Sequence, residues 1–201
     1  MTNTLFCHAT KMCAAALLVP LWAPAAHADD DLWAALRQGG KVVLMRHAPV
    51  ERGPDAGSPS TRDPSCRDER NLSGQGRQDA QAVGRRFAEY RIPIADVLHS
   101  PYCRAAQTAQ SAFNLGAPEK HLALLDVLEP AAAARQTQAL NRIIGSHSGQ
   151  GNLVLITHEP NISAVSFELL RHLDMLVIQP KGGADFEELG VIRFSDQQYA
   201  Y

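Results

Sequence analysis

The chain has 201 residues, 45% of them hydrophobic and 20% charged, with 19 Lys and Arg against 21 Asp and Glu and a formal charge of -2. A balance this close to neutral gives no support to a nucleic-acid or anionic-membrane surface. The length suits one domain with a real core and requires no second one.

The first 28 residues are expected to be a signal peptide. Lys11 is the only charged side chain before Asp29, an apolar run from Met12 to Trp22 follows it, and Ala26-His27-Ala28 places small residues where a signal peptidase reads them. The run is short and Ala-rich for a membrane span, so no span is expected after cleavage, and export to the periplasm or beyond follows. Removing one Lys and no acid leaves 18 basic against 21 acidic residues in 29–201, a formal charge of -3. Two cysteines remain in that domain, Cys66 and Cys103, and an even count in an exported protein favours a disulfide.

Asp31 to Gln38 reads as a short amphipathic helix with Leu32, Ala35 and Leu36 on one face and Gly39-Gly40 ending it. Val42 to Leu44, with Met45, reads as a buried strand that ends abruptly in Arg46 and His47, side chains a core would not choose. From Pro49 to Leu72 runs a polar segment rich in Pro, Gly, Ser and Asp, carrying Arg52, Arg62, Arg67 and Arg70, of a length that is usually functional when it lacks its own structure.

Ser73 is placed to cap a helix in which Ala80, Val83, Gly84 and Phe87 repeat at helical spacing. Ile94 to Leu98 reads as a second strand, closed by His99-Ser100-Pro101. Ser100 as N-cap and Pro101 as first helical residue would put Arg104 in the first turn of a helix running to about Asn114, beside free backbone amides.

His121 to Leu125 is expected as a third strand and Ala131 to Ile144 as a helix with Leu140, Ile143 and Ile144 inward. Leu153 to Thr157, apolar and β-branched, is the clearest strand and ends in His158. Glu159-Pro160-Asn161 then opens a helix expected to reach Leu170, and Met175–Ile178 and Val191–Phe194 read as closing strands around Gly182-Gly183. Alternating strands and helices imply an α/β fold, a three-layer α/β/α sandwich with a mainly parallel sheet. Arg46-His47, Arg104 and His158 all fall at or just after strand ends, where ligands bind in such sheets.

Two Arg and two His at that edge suit a dianion, since guanidinium pairs with phosphate or sulfate in a bidentate way. One His could instead attack phosphorus, a covalent phosphohistidine splitting one hard displacement into two easier ones. The sequence has no H-E-x-x-H, paired-Cys or Asp-cluster motif for a metal, no G-x-S-x-G and no Walker sequence, so neither a metal nor a cofactor is expected.

Leu44-Met-Arg-His-Ala48, Leu72-Ser-Gly-Gln-Gly76, Ser100-Pro-Tyr-Cys-Arg-Ala-Ala-Gln-Thr-Ala109 and Val154-Leu-Ile-Thr-His158 resemble, in order, the motifs of the histidine phosphatase superfamily, with its phosphoglycerate-mutase-like fold. The resemblance implies that His47 is the phosphorylated nucleophile and that Arg46, Arg104 and His158 hold the phosphoryl oxygens. Arg-His-Ala and the short chain look closer to the small phosphatases of the family, phosphohistidine phosphatases included, than to its mutases. A small phosphorylated substrate, a phosphomonoester or phosphoamide, is the implied partner. A non-catalytic anion-binding module of the same fold is the alternative.

The leaving group needs a proton that neither Arg nor phosphorylated His supplies. Glu159, directly after His158, and Glu129 or Asp126, after the expected third strand, are the candidates. His99 stands where the family resemblance implies a small residue, either facing the pocket or capping its strand.

Overall fold

The computed structural model describes residues 28–194; the expected signal segment, 1–28, lies outside the described residues except for Ala28, which opens α1. The elements in chain order are α1 (Ala28–Gln38), β1 (Val42–Arg46), α2 (Gly74–Glu89), β2 (Ile94–His99), α3 (Cys103–Phe113), β3 (Ala117–Pro118), α4 (Pro130–Gly145), β4 (Asn152–Thr157), α5 (Glu159–Ser163), β5 (Met175–Gly182) and β6 (Asp185–Ile192). They form one six-stranded sheet in the order β3-β2-β4-β1-β5-β6. β1, β2, β3 and β4 pair in parallel, and the β5–β6 hairpin adds an antiparallel edge against β1.

Both faces of the sheet are covered, which is why the central strands are apolar throughout rather than alternating with polar residues. Val43 and Met45 of β1 face one core with Leu36 of α1, Val83 and Phe87 of α2 and Ala105 of α3. Their neighbours Val42 and Leu44 face the other, with Leu140 and Ile144 of α4 and Ile162 of α5. That period-two split yields the expected three layers. Trp33 closes the first core from α1, stacked on Tyr90 at 4.6 Å and edge-on to Phe87 at 5.6 Å. Gly84 earns its place by packing: a Cβ there would meet the Ala112 carbonyl oxygen of α3 at 1.9 Å.

Four elements differ from the sequence expectation. The closing strand β6 runs Asp185–Ile192 rather than Val191–Phe194, because it pairs along the length of a β5 that itself continues to Gly182. The stretch His121–Leu125 is not a strand; single 3-10 turns occupy Lys120–Leu122 and Leu125–Val127, and only Ala117–Pro118 pairs with β2. Side chains have taken the backbone groups a ladder would use. Glu119 accepts the His121 N–H, Thr157 Oγ1 donates to the Leu122 carbonyl, and Gln136 and Asn161 both donate to that of Ala123.

α5 ends at Ser163 instead of reaching Leu170. Ser166 Oγ accepts the Glu168 N–H, and the Leu170 carbonyl turns to the Arg46 guanidinium, so neither group is left to extend a helix.

α3 starts at Cys103 with Tyr102 as N-cap, two residues later than Ser100 and Pro101 suggest. The Ser100 N–H stays in the sheet, donating to the Ile156 carbonyl at 2.8 Å, so Ser100 extends β2 rather than capping a helix. By contrast Ser73 caps α2 as expected, accepting the Gly76 N–H. No helix among the described residues is long and apolar enough to cross a membrane.

Candidate active site

β1 and β4 run parallel with Arg46 opposite Thr157, so the next residue of each strand, His47 and His158, emerges beside the other. The His47 N–H continues the ladder to the Thr157 carbonyl at 3.0 Å, and the two rings lie 5.3 Å apart. The sheet itself thus delivers two imidazoles to one point.

His47 Nδ1 is 2.8 Å from the carbonyl oxygen of Ala48. A carbonyl only accepts, so Nδ1 carries the hydrogen and Nε2 keeps its lone pair. The ring is buried, and that burial, reinforced by His158, Arg104 and His172, pushes its pKa well below the ordinary value against the opposing pull of the Ala48 carbonyl. A neutral imidazole with a fixed tautomer and a free Nε2 is a competent nucleophile.

His158 is 1% exposed, with Nε2 hydrogen-bonded to Ser100 Oγ at 2.7 Å. Burial, with Arg104 and Arg46 nearby, holds its pKa well below the usual histidine value. Arg46 donates from Nη1 to the Leu170 carbonyl, and Arg104 lies over the Tyr102 ring at 4.7 Å. Burial lowers the pKa of both guanidiniums, opposed by Glu159 and Asp174 at Arg46 and most strongly by Glu69 at Arg104.

Each of these three residues keeps one buried nitrogen without a hydrogen-bond partner among the described residues: Arg46 Nε, Arg104 Nη1 and His158 Nδ1. Buried N–H groups are rarely left unpaired, and all three residues line one cavity of about 420 Å³ with His47, Arg70, His172, Asp126 and Glu159. Concentrated donors of this kind around an imidazole lone pair suit an oxyanion bound against a nucleophile.

Most of the amides at the expected helix N-terminus are already engaged. The Cys103 N–H is taken by the Glu69 carboxylate at 2.7 Å, and Ala105 and Ala106 both donate to the Tyr102 carbonyl. Glu69, 1% exposed, also accepts the Asp63 N–H and so ties the 49–72 loop to α3. The Cys66–Cys103 disulfide is formed and makes the same connection, with Tyr102 Oη donating to the Ser60 carbonyl as a third tie. Arg70 reaches the cavity from that loop while donating to the Gly57 carbonyl; Arg52, Arg62 and Arg67 do not line it.

Among the carboxylates, Glu159 and Asp126 border the cavity and Glu129 does not. Glu129 is exposed at the N-cap of α4, its carbonyl accepting from Ala132 and Ala133, because the 3-10 turn at 125–127 turns Asp126 to the site in its place. His99 also lies outside, donating from Nδ1 to the Ser100 carbonyl and bordering a separate cleft with Gln107, Gln110 and Gly116. Among the described residues no group of three His, Cys, Asp or Glu is placed to hold a metal ion.

Two residues of the site carry no sequence signal for it. Ser100 has the pattern of a helix cap and is instead the partner of His158. His172 follows no strand and belongs to no motif, so nothing local marks it; its Nδ1 donates to the His47 carbonyl at 2.9 Å.

Residues 42–126 match the family model described as the histidine phosphatase superfamily (branch 1). No curated protein matches the sequence. Among solved structures, the protein histidine phosphatase SixA complexed with tungstate is similar over 78% of this chain and 99% of its own, with a TM-score of 0.56 and 17% identity. The phosphoserine phosphatase of Entamoeba histolytica, in complex with 3-phosphoglyceric acid, is similar over 75% and 95% (TM-score 0.56, 13% identity). A mycobacterial glucosyl-3-phosphoglycerate phosphatase is similar over 74% and 96% (TM-score 0.53, 13% identity). These likenesses establish a shared fold.

Proposed function

We propose that this chain, which carries the histidine phosphatase superfamily match and fold, is a phosphatase that hydrolyses a phosphomonoester or phosphoamide through a phosphohistidine on His47. The observation that carries the reading is the set of buried, unpartnered nitrogens on Arg46, Arg104 and His158 around the Nε2 lone pair of His47. The phosphatases named among the structural neighbours support it as well.

His47 Nε2 attacks phosphorus and the bond to the leaving group breaks. Arg46 Nε, Arg104 Nη1 and His158 Nδ1 each donate to an oxygen that gains charge as the phosphoryl group transfers. Ser100 suits His158 in either protonation state, because its hydroxyl donates to a neutral ring and accepts from a charged one. Glu159 protonates the leaving oxygen; its carboxylate is steadied by the Ser163 hydroxyl one turn along α5. Water, giving its proton to the now ionised Glu159, then attacks phosphorus; the Nε2–P bond breaks and phosphate leaves.

Export remains part of the proposal, supported by the apolar start of the sequence and by a disulfide that an oxidising compartment would keep. The deciding experiment is rapid quench with a labelled phosphomonoester, comparing the parent chain with His47→Ala. The parent should form an acid-labile, alkali-stable phosphoprotein and the variant none. Turnover of His47→Ala within tenfold of the parent would overturn the covalent mechanism.

A further inference from the structure

We propose that His172 is a fourth ligand of the bound phosphoryl group and must carry a proton on Nε2 to be one, so that anion binding at this site takes up a proton. The proposal rests on the phosphatase reading above and adds a residue and a proton linkage to it.

A carbonyl neighbour sets the tautomer of the His172 ring. Nδ1 faces the His47 carbonyl, so it holds the hydrogen in the neutral ring and Nε2 is then a bare lone pair. The ring stands 5.0 Å from that of His47 and borders the same cavity, and no described residue hydrogen-bonds its Nε2. A neutral His172 would therefore turn a lone pair towards phosphoryl oxygens; a protonated one would add a charge-assisted donor.

The backbone holds His172 there at a cost. Leu173, which follows it, has φ 66 and is fully buried, a left-handed conformation that residues other than glycine seldom adopt. Strain of this kind persists where the surroundings over-determine it, commonly at functional sites. Here the Leu173 N–H donates to the Arg46 carbonyl, locking the turn to the end of β1. Asp174 completes the lock, accepting the N–H groups of Arg171 and Phe194 and the Arg193 guanidinium.

The charges around His172 are mostly positive. Arg46 and His47 face it from the end of β1, Arg52 and Arg70 from the 49–72 loop, Arg104 from α3 and His158 from the end of β4. Asp126 and Glu159 border the cavity as carboxylates, while Asp174 in its own turn is engaged elsewhere. Burial and this cationic surround keep the free ring neutral, against the His47 carbonyl. An incoming dianion reverses that balance, and linkage then couples its binding to protonation.

The test measures binding of tungstate, a dianion that does not itself titrate near neutrality, by calorimetry in buffers of different ionisation enthalpy and across pH. Two variants separate the roles of the ring nitrogens. His172→Asn can keep the donor to the His47 carbonyl but loses Nε2; His172→Gln places a permanent neutral donor near the Nε2 position. Expected is proton uptake by the parent larger by about one than in either variant. Parent affinity should also fall more steeply with rising pH than that of His172→Gln, by about tenfold per unit between the free and bound pKa values. His172→Asn should bind about ten- to a hundredfold more weakly at low pH. If both variants keep the parent's uptake and pH slope, His172 is not the linked ligand and the phosphatase reading stands. If the parent binds no tungstate at any pH, the anion pocket itself is wrong.

Discussion

Ser100 Oγ and His158 Nε2 lie 2.7 Å apart although 58 residues separate them in the chain, and this contact leaves His158 Nδ1 as the ring's only unpartnered nitrogen. Ser100→Ala should therefore loosen the ring and lower kcat/KM by up to about tenfold, the equivalent of one neutral hydrogen bond of roughly 0.5–1.5 kcal/mol. Steady-state kinetics on one ester checks this, and an unchanged kcat/KM would remove Ser100 from the machinery.

Arg104 carries a buried, unpartnered Nη1 and reaches the cavity from the first turn of α3. Arg104→Ala should cost about 3–4 kcal/mol of transition-state stabilisation, a loss in kcat of roughly 100- to 1000-fold. The thermal midpoint, measured alongside, separates this from unfolding.

Glu159 and Asp126 both border the cavity, and substrates of graded leaving-group basicity distinguish them. If Glu159 is the donor, Glu159→Gln slows an alkyl ester by about 100-fold and spares a nitrophenyl ester, which needs little protonation. Asp126→Asn serves as the comparison. The same selective loss in Asp126→Asn, with none in Glu159→Gln, would transfer the role.

The disulfide spans 37 residues and joins the cavity loop to the residue before Arg104. Cys66→Ser with Cys103→Ser should lower unfolding stability by about 2–4 kcal/mol, read as a lower denaturant midpoint. Glu69 and the Tyr102 hydroxyl still tie the loop to α3, so activity is expected to survive in part. Two free thiols in the oxidised parent would contradict the bond.

Stability should fall in mild acid. His47 and His158 have pKa values held well below normal in the folded chain, chiefly by burial, whereas unfolding returns them to about 6.5. The unfolded state therefore binds more protons once pH drops below about 6.5. Stability is complete above that value and declines below it, by up to about 1.4 kcal/mol per pH unit for each ring until its depressed pKa is reached. Denaturant titrations at several pH values check the slope. Replacing either ring by a neutral residue should flatten it.

Much of the site was legible in the chain because strands of a buried parallel sheet are apolar throughout, so a polar residue at a strand end stands out. Arg46-His47 and His158 stand out in that way, and the four ordered motifs carry the resemblance to the family. Glu129 lies away from the cavity because His121–Leu125, equally compatible in sequence with a strand and with 3-10 turns, adopts the turns. Only the Glu119, Thr157, Gln136 and Asn161 side chains, which take up its backbone groups, decide between the two.

The sequence by itself determined the alternation of elements, the two cores on opposite faces of β1, the Ser73 cap and the residues delivered at the ends of β1 and β4, because periodicity and capping act within a few residues. Only the tertiary structure decided that Ser100 serves His158 rather than a helix, that Asp126 replaces Glu129 at the cavity, and that His172 stands beside His47 from 125 residues away. Those pairings depend on strand register and on turns locked across the sheet, free energies shared among residues distant in the chain that no local pattern records.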